Sequence, residues 1–418
     1  MRNWHLYNGM LYRNGRIVNE SLLIVDGIIT AFGVKADQAS LALGQRVKSF
    51  DAEGCLISRG FIDLHTHLRE PGFEEKETIE TGSRAAARGG FTSIYAMPNT
   101  EPALDSILQL EAFLKLTEKA RVKTYPVATL SKQRKGQEPV DYKALTDAGV
   151  RLFSDDGDPA TDQIALESMN HLASLGGVFI NHLEDKSMTN GSFFHEDIPA
   201  ESEYLMLKRD IGLVKKTGCS YHAAHLSCAQ SVRIIAEAKA QGLPVTAEVT
   251  PHHLLLNCDD IKEPLGNYQM KPPLRTRADQ EALIEGLLDG TIDCIATDHA
   301  PHGREKEGAF GPNSPFGITG LETAFAALYT SLVLTNRLPL ERLLEALTVG
   351  PASICRENDQ IEIGVSADIT IVDLNKRDKI GKKDFYSKGT NTPFADKEYI
   401  GWPVLTLVGG EESFNATN

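Results

Sequence analysis

Histidines and aspartates recur at the ends of predicted strands. One run, Phe61–His67, ends in Asp63-Leu-His65-Thr-His67, and the two-residue period of a strand places Asp63, His65 and His67 on one face. Two imidazoles on one face can share a metal ion, whereas Asp63 is expected to orient them from behind. Other strand ends supply residues of the same kinds: His182, His225 and Asp298. Zn²⁺ takes imidazole and carboxylate ligands, so the pattern predicts a zinc site.

Two adjacent carboxylates, Asp155 and Asp156, follow the fourth predicted strand and precede Gly157. Two metal ions held close together need a bridging anion from the protein. Asp155 has the residue type and the position for that bridge. Asp156 is expected to cap the turn at Gly157 instead.

The middle of the chain alternates between apolar, β-branched runs and helical patterns. The runs are Gly60–His67, Phe91–Met97, Val122–Ala128, Val150–Ser154, Val178–His182, Ser220–His225, Val245–Thr250 and Ile292–Asp298. Eight strand–helix repeats predict a (β/α)₈ TIM barrel, an α/β fold whose active site lies at the carboxyl ends of the strands. The polar residues above fall at those ends.

Both chain ends differ from the middle, since they hold short β-rich runs broken by Asn-Gly and Asp-Gly turns. We therefore predict that residues 1–58 and 361–418 form one small β-sandwich beside a barrel of residues 59–360. The stretch Lys376–Pro403 has little periodicity and is expected to be irregular.

The formal charge of −14 comes without any Lys/Arg-rich run, which argues against nucleic acid or an anionic membrane as a partner. The apolar stretch Ile318–Asn336 is interrupted by polar residues, and we interpret it as a buried helix rather than a membrane span. The amino terminus shows no secretory pattern, and six cysteines without a CxxC pair indicate reduced thiols. Together these features predict a cytoplasmic location.

Several motifs resemble the signature of the dihydroorotase family within the amidohydrolase superfamily. They are Gly60–Gly72, Met97–Thr100, Thr250–His253, Pro272–Arg275 and Thr297–His302. They occur in the family's order along the whole barrel. Many superfamily members bridge their metals with a carboxylated lysine, whereas Asp155 stands at that place here and resembles the bacterial class I type.

The resemblance implies two zinc ions, one held by His65, His67 and Asp298 and the other by His182 and His225, with Asp155 between them. It also implies that a hydroxide attacks a ring amide while Asp298 acts as base and then as acid. The family reaction interconverts N-carbamoyl-L-aspartate and L-dihydroorotate in pyrimidine biosynthesis.

The same resemblance implies which residues bind a carboxylate of the substrate. Arg69 can clamp a carboxylate through two parallel hydrogen bonds, and Asn99 and His302 match the family's other contacts. The Gly- and Pro-rich loop 303–317 is expected either to be a mobile flap, with Pro315, Phe316 and Gly317 offering backbone groups, or to be a plain solvent loop. Lys271 replaces the usual Asn before Pro272 and is expected to add a cation for the substrate.

Two alternatives remain at this point. An allantoinase or dihydropyrimidinase acts on a neutral ring and needs neither Arg69 nor Lys271. A non-catalytic relative would only scaffold aspartate transcarbamoylase, but such relatives lack the metal ligands. A homodimer and a complex with aspartate transcarbamoylase are the partners considered beside the small-molecule substrate.

Overall fold

A computed structural model describes residues 2–303, 308–358 and 360–416. The amino-terminal segment consists of short strands and one helix: β1 (Trp4–Tyr7), β2 (Met10–Arg13), β3 (Arg16–Asn19), β4 (Leu22–Val25), β5 (Ile28–Phe32), α1 (Gly33–Leu43), β6 (Lys48–Asp51) and β7 (Cys55–Arg59). Asn14 and Gly15 join β2 to β3, both at positive φ. That conformation suits an Asn-Gly hairpin turn, as the sequence predicts.

The middle of the chain alternates strands with helices. Its strands are β8 (Phe61–Thr66), β9 (Phe91–Ala96), β10 (Lys123–Pro126), β11 (Leu152–Phe153), β12 (Val178–Asn181), β13 (Ser220–Ala223), β14 (Val245–Val249) and β15 (Cys294–Ile295). Its helices are α2 (Ile79–Arg88), α3 (Ile107–Thr117), α4 (Tyr142–Asp147), α5 (Asp162–Leu175), α6 (Lys186–Thr189), α7 (Glu201–Thr217), α8 (Ala229–Ala240), α9 (Pro251–Leu255) and α10 (Arg277–Leu288). Each predicted run contains one of these strands.

The eight strands close into a parallel barrel. Strands β8 to β10 pair in one sheet and β11 to β15 in another, with Val178 of β12 opposite Ser220 of β13. Parallel bridges between Ala128 and Phe153 and between Thr66 and His299 join the two sheets. The predicted fold class is therefore confirmed, and the carboxyl ends of the strands meet at one end of the barrel.

The last third of the chain begins with helices and ends with strands: α11 (Ala324–Leu328), α12 (Leu340–Leu347), α13 (Val349–Cys355), β16 (Ile369–Asp378), β17 (Tyr399–Val408) and β18 (Glu411–Asn415). The stretch Ile318–Asn336 holds α11 and a π-helical turn, Tyr329–Val333. Residues Ala324 to Leu328 are all buried. No helix among the described residues is long and apolar enough to cross a membrane.

Two sheets form from the chain ends: the sheet β5-β4-β1-β6 contains amino-terminal strands, and the sheet β18-β17-β16-β7-β2-β3 combines strands from both ends. Their facing side chains form a separate apolar core that includes Trp4, Leu22, Ile57, Ile369 and Leu407. The expectation that Lys376–Pro403 is irregular is wrong at its edges, because β16 continues to Asp378 and β17 starts at Tyr399. The domain boundaries at 58 and 361 stay a prediction.

Candidate active site

Four imidazoles and two carboxylates meet where the barrel strands end. This metal cluster consists of His65, His67, Asp156, His182, His225 and Asp298, all buried. In one half, Asp298 Oδ1 lies 3.0 Å from His67 Nε2 and 3.6 Å from His65 Nε2. In the other half, His182 Nδ1 and His225 Nε2 are 2.9 Å apart.

Asp156 lies between the two halves. Its Oδ2 is 3.5 Å from His67 Nε2, whereas its Oδ1 is 3.3 Å from His182 Nδ1 and 3.7 Å from His225 Nε2. Asp156 Oδ1 is also 3.5 Å from His65 Nε2, so this carboxylate contacts histidines of both halves, which is the arrangement expected of a bridging ligand.

The expectation that Asp155 forms this bridge is wrong. Asp155 Oδ1 accepts hydrogen bonds from the backbone N–H groups of Leu130 (2.8 Å) and Ser131 (3.1 Å), and Oδ2 accepts one from Ser131 Oγ (2.5 Å). Successive side chains of an extended segment point to opposite sides, so only one of two adjacent aspartates can face the cluster. Asp156, predicted to cap a turn, is that residue, and Asp155 fastens the loop after β10.

The atoms of the cluster fit a metal ion better than they fit one another. Within the described residues, His65 Nε2 and Asp156 Oδ1 are buried without a hydrogen-bond partner, although buried polar atoms are normally paired. Two ligand atoms of tetrahedral zinc with bonds of ~2.1 Å lie roughly 3.4 Å apart. The spacings quoted above run from 2.9 to 3.7 Å, and imidazole with carboxylate is a donor set that zinc accepts.

Burial and charge oppose each other in setting the pKa values of the cluster. Burial lowers the pKa of His65, but carboxylates, Asp156 first, outweigh it and raise that pKa well above its ordinary value. Burial raises the pKa of Asp156 and Asp298, but the histidines, His65 first, hold both below the ordinary aspartate value. His65 and these two carboxylates therefore stabilise one another's charged forms, whereas burial lowers the pKa of His67.

Three residues of the site have a left-handed backbone. Arg69, His225 and Asp298 have φ values of 64°, 31° and 49°. Such conformations are uncommon for residues other than glycine and cost about 1–3 kcal/mol each. They persist where surrounding contacts over-determine them, which is typical of functional sites.

A cleft of about 240 Å³ opens above the metal cluster. Its lining includes most of the predicted substrate contacts: Arg69, Asn99, Lys271, Phe316 and Gly317. His302 and Pro315 do not belong to this lining as far as the described residues define it. Residues 304–307 of the predicted flap lie outside the described residues. We call Arg69, Lys271, His302, Phe316 and Gly317 the rim.

One side of the rim joins Arg69 to the loop after β15. Arg69 Nη2 lies 3.2 Å from His302 Nε2, and that nitrogen is 2.8 Å from the carbonyl oxygen of Phe316. Burial lowers the pKa of Arg69 to about 10, which leaves the guanidinium charged near neutral pH. A guanidinium only donates and a carbonyl only accepts, so His302 Nε2 makes one of these two hydrogen bonds at a time while its ring lies beside Arg69.

The other side of the rim carries an ion pair that the sequence did not indicate. Lys271 Nζ donates to Glu184 Oε1 at 2.7 Å and lies 4.7 Å from the centre of the Phe316 ring. Glu184 Oε2 is 3.5 Å from His182 Nε2, the nitrogen turned away from the cluster. Lys271 therefore faces the cleft as predicted, but Glu184 already balances its charge.

Asn391, from the segment between β16 and β17, fixes the rim from behind. Its Nδ2 donates to the carbonyl oxygens of Ala300 (3.0 Å) and Gly317 (3.1 Å), and its Oδ1 accepts from the backbone N–H of His302 (2.9 Å). Its own carbonyl accepts from Thr319 N. A segment expected to be irregular thus holds together the two ends of the 303–317 loop.

Asn99 contacts His67, just after β8, and Asp63 contacts His65 within β8. Asn99 Oδ1 is 3.0 Å from His67 Nδ1, which leaves Nε2 of that ring for the cluster. Asp63 accepts from Thr297 Oγ1 at 2.6 Å and from the backbone N–H of His65 at 3.1 Å. Asp63 thus lies behind the cluster, as its predicted orienting role requires.

Fold and site together define the class as a barrel hydrolase of the cyclic amidohydrolase type. The chain is similar to the solved structure of L-hydantoinase (dihydropyrimidinase) from Arthrobacter aurescens, with a TM-score of 0.88 and 26% identity over 99% of this chain and 96% of that chain. The family model described as dihydro-orotase-like matches residues 54–231.

Relatives with similar sequences identify the family within that class. The chain is 46% identical over 424 residues to the dihydroorotase of Geobacillus thermodenitrificans strain NG80-2, covering 98% of each chain. It is 43% identical to the dihydroorotase of Staphylococcus aureus strain N315, over 97% of this chain and 98% of the relative. The chain belongs to the dihydroorotase family, which confirms the resemblance seen in the motifs.

Proposed function

We propose that the chain is a zinc-dependent dihydroorotase that interconverts N-carbamoyl-L-aspartate and L-dihydroorotate in pyrimidine biosynthesis. The observation that carries the proposal is the metal cluster at the base of a cleft whose wall bears Arg69 and Lys271. Near-full-length identity to proteins named dihydroorotase supports the same reaction.

Two zinc ions are proposed, one held by His65, His67 and Asp298 and the other by His182 and His225, with Asp156 bridging in place of Asp155. Bound zinc would lower the pKa of a water and polarise the amide carbonyl.

Asp298 is the residue proposed to move the proton. It lines the cleft beside the metal cluster, and its pKa below the ordinary aspartate value means that the carboxylate is ionised before the reaction. In ring opening it takes the proton of the attacking water and delivers it to the departing ring nitrogen. In ring closure the same carboxylate acts in the opposite order.

The cations of the rim favour a substrate that carries a carboxylate. Arg69 presents a planar fork of donors that matches a carboxylate, and His302 lies beside it. Lys271 and the backbone of Phe316 and Gly317 complete the proposed contacts, with Asn99 at the edge of the cleft. Neutral rings such as hydantoin or dihydrouracil would leave the Arg69 charge unpaired in a half-buried cleft.

The test is turnover with metal analysis on the purified protein. We expect zinc in the protein, reaction of L-dihydroorotate in both directions, and loss of activity on chelation with the fold retained, because an extensive apolar core supports the barrel. Full activity of metal-free protein would contradict the zinc proposal. Hydrolysis of dihydrouracil without any of dihydroorotate would favour the neutral-ring alternative. Association with a second copy or with aspartate transcarbamoylase stays a prediction.

A further inference from the structure

Glu248 is a buried carboxylate inside the barrel, below the metal cluster. It is the one charged residue of β14, whose sequence is Val-Thr-Ala-Glu-Val, and only 1% of it is exposed. Strands of a parallel barrel are normally apolar along their length. A carboxylate in this position therefore needs a reason, since burying an unpaired charge is strongly unfavourable.

The contacts of Glu248 reach both halves of the cluster. Its Oε1 accepts from His65 Nδ1 at 2.7 Å and from the backbone N–H of His225 at 3.2 Å. An ionised carboxylate can only accept hydrogen bonds, so the proton of His65 must be on Nδ1 in this contact. His65 Nε2, which is buried without a hydrogen-bond partner among the described residues, is thereby directed to the cluster.

The contact with His225 holds a backbone in an uncommon conformation. His225 has φ of 31°, and its Nε2 faces Asp156 Oδ1 at 3.7 Å. A hydrogen bond from its backbone N–H to Glu248 fixes the residue at the point where β13 has ended. One carboxylate oxygen therefore sets the ring direction of His65 and the backbone position of His225.

The second oxygen of Glu248 is anchored below. His222 Nε2 donates to Glu248 Oε2 at 3.1 Å, and His222 Nδ1 is 2.8 Å from Thr246 Oγ1. His222 on β13 thus contacts both Glu248 and Thr246 on β14, one layer beneath the cluster. This second histidine limits the rotation of the carboxylate, which is what a positioning group requires.

We propose that Glu248, anchored by His222, is a positioning residue for both proposed zinc sites. Its role is to direct His65 Nε2 and to hold His225, without touching substrate or metal. The inference rests on the proposed function only in assuming that the cluster binds zinc. Partners in the outer shell of a metal site typically contribute 10- to 100-fold to metal affinity or activity.

The test measures zinc affinity of the full chain by competition with a chelator, which does not depend on turnover. Glu248→Gln keeps the size and one acceptor but removes the charge, and we expect roughly 10-fold weaker zinc binding. Glu248→Ala removes the acceptor as well, and we expect a loss near 100-fold. His222→Phe should weaken binding in the same direction by a smaller factor.

Glu322→Gln is the matched control. Glu322 is also buried, but it accepts from the backbone of Tyr386 and Ser387 and pairs with Arg88, away from the cluster. It should leave zinc affinity unchanged. If Glu248→Ala fails to fold, Glu248→Gln decides the question, with thermal unfolding of the metal-free protein as the check on folding.

Three outcomes separate the possibilities. Zinc affinity of Glu248→Gln equal to that of the parent, or an equal loss in Glu322→Gln, would overturn the positioning role. A parent protein that binds no zinc would overturn both this inference and the zinc part of the proposed function. A parent that binds zinc but leaves dihydroorotate unchanged would remove the proposed reaction while the role of Glu248 stands.

Discussion

The metal cluster and the rim are built in different ways, although they face the same cleft. Side chains of the cluster expose at most 8% of their surface and lie within barrel strands or at most three residues after them, whereas Lys271 exposes 21% and lies on a loop. Cluster residues are held from below by Glu248 and Asp63 in the barrel. Rim residues are held by one another and by Asn391, from a segment near the other end of the chain.

This difference indicates a division of labour. Strand ends fix a cluster in which small displacements matter, since metal ligands must meet within tenths of an ångström. Loops can vary in sequence without disturbing the strands, so they are the suitable place for choosing a substrate. Changes in the cluster should therefore abolish the reaction, and changes in the rim should alter which ring is used and how tightly it binds.

The largest effect is expected for Asp156→Asn. Losing the charged bridge should weaken zinc binding more than about 100-fold, because outer-shell partners alone contribute 10- to 100-fold, and turnover should vanish. Asp155→Asn is the neighbouring control: it should keep zinc but lose about 1–3 kcal/mol of stability, because an amide nitrogen, which cannot accept, replaces the oxygen that accepts from Ser131 Oγ. Zinc analysis measures metal binding by the two variants, and chemical denaturation measures their stability. Loss of zinc from Asp155→Asn alone would restore Asp155 as the bridge.

Asp298→Asn should lower turnover by roughly 10²- to 10⁴-fold, the scale of general acid–base catalysis. The amide still offers an oxygen near His67, but it cannot accept and return a proton. Turnover must be measured on samples with matched zinc content, because Asp298 belongs to the cluster. Near-normal turnover with zinc bound would assign proton transfer to another group.

Lys271→Ala tests the rim. Loss of one hydrogen bond to a charged group costs about 1.5–3 kcal/mol, so kcat/KM for dihydroorotate should fall roughly 10- to 150-fold. For dihydrouracil, which lacks the carboxylate, kcat/KM should change little. Lys186→Ala serves as control, since Lys186 also lines the cleft and pairs with a carboxylate, Asp158, but its side chain is about half exposed to solvent. Unchanged kinetics would mean that Lys271 serves only Glu184.

The smallest effect is expected for Asn391→Ala. It removes three hydrogen bonds to the loops of His302 and Gly317, and we expect kcat/KM to fall roughly 10-fold, mainly through KM. Zinc content should not change, because Asn391 does not touch the cluster. Asn391→Asp keeps the acceptor for His302 N but sets a charged oxygen against the carbonyl oxygens of Ala300 and Gly317, so it should not restore kcat/KM. An equal fall in kcat with KM unchanged would contradict a role confined to the rim.

Much of the fold could be predicted because it repeats. Eight apolar runs each hold a barrel strand, and at least one helix follows each of these strands, as the predicted alternation requires. Local periodicity specifies such elements without knowledge of their partners. The β-rich chain ends were predicted from turn chemistry, but the extents of β16 and β17 were not, because bulges between these two strands interrupt the alternation of their side chains.

The sequence by itself determined which residue types stand at the strand ends, and hence the proposed zinc ligands and the family. It did not determine the choice between Asp155 and Asp156, because alternation fixes opposite sides but not which side faces inward. It did not indicate that Glu184 balances Lys271, that Glu248 supports two histidines, or that Asn391 fastens the rim. The contacts from Glu184 to Lys271, from Glu248 to His65 and from Asn391 to His302 join residues 87 to 183 positions apart. Such contacts exist only after the barrel closes and the chain end folds back over it.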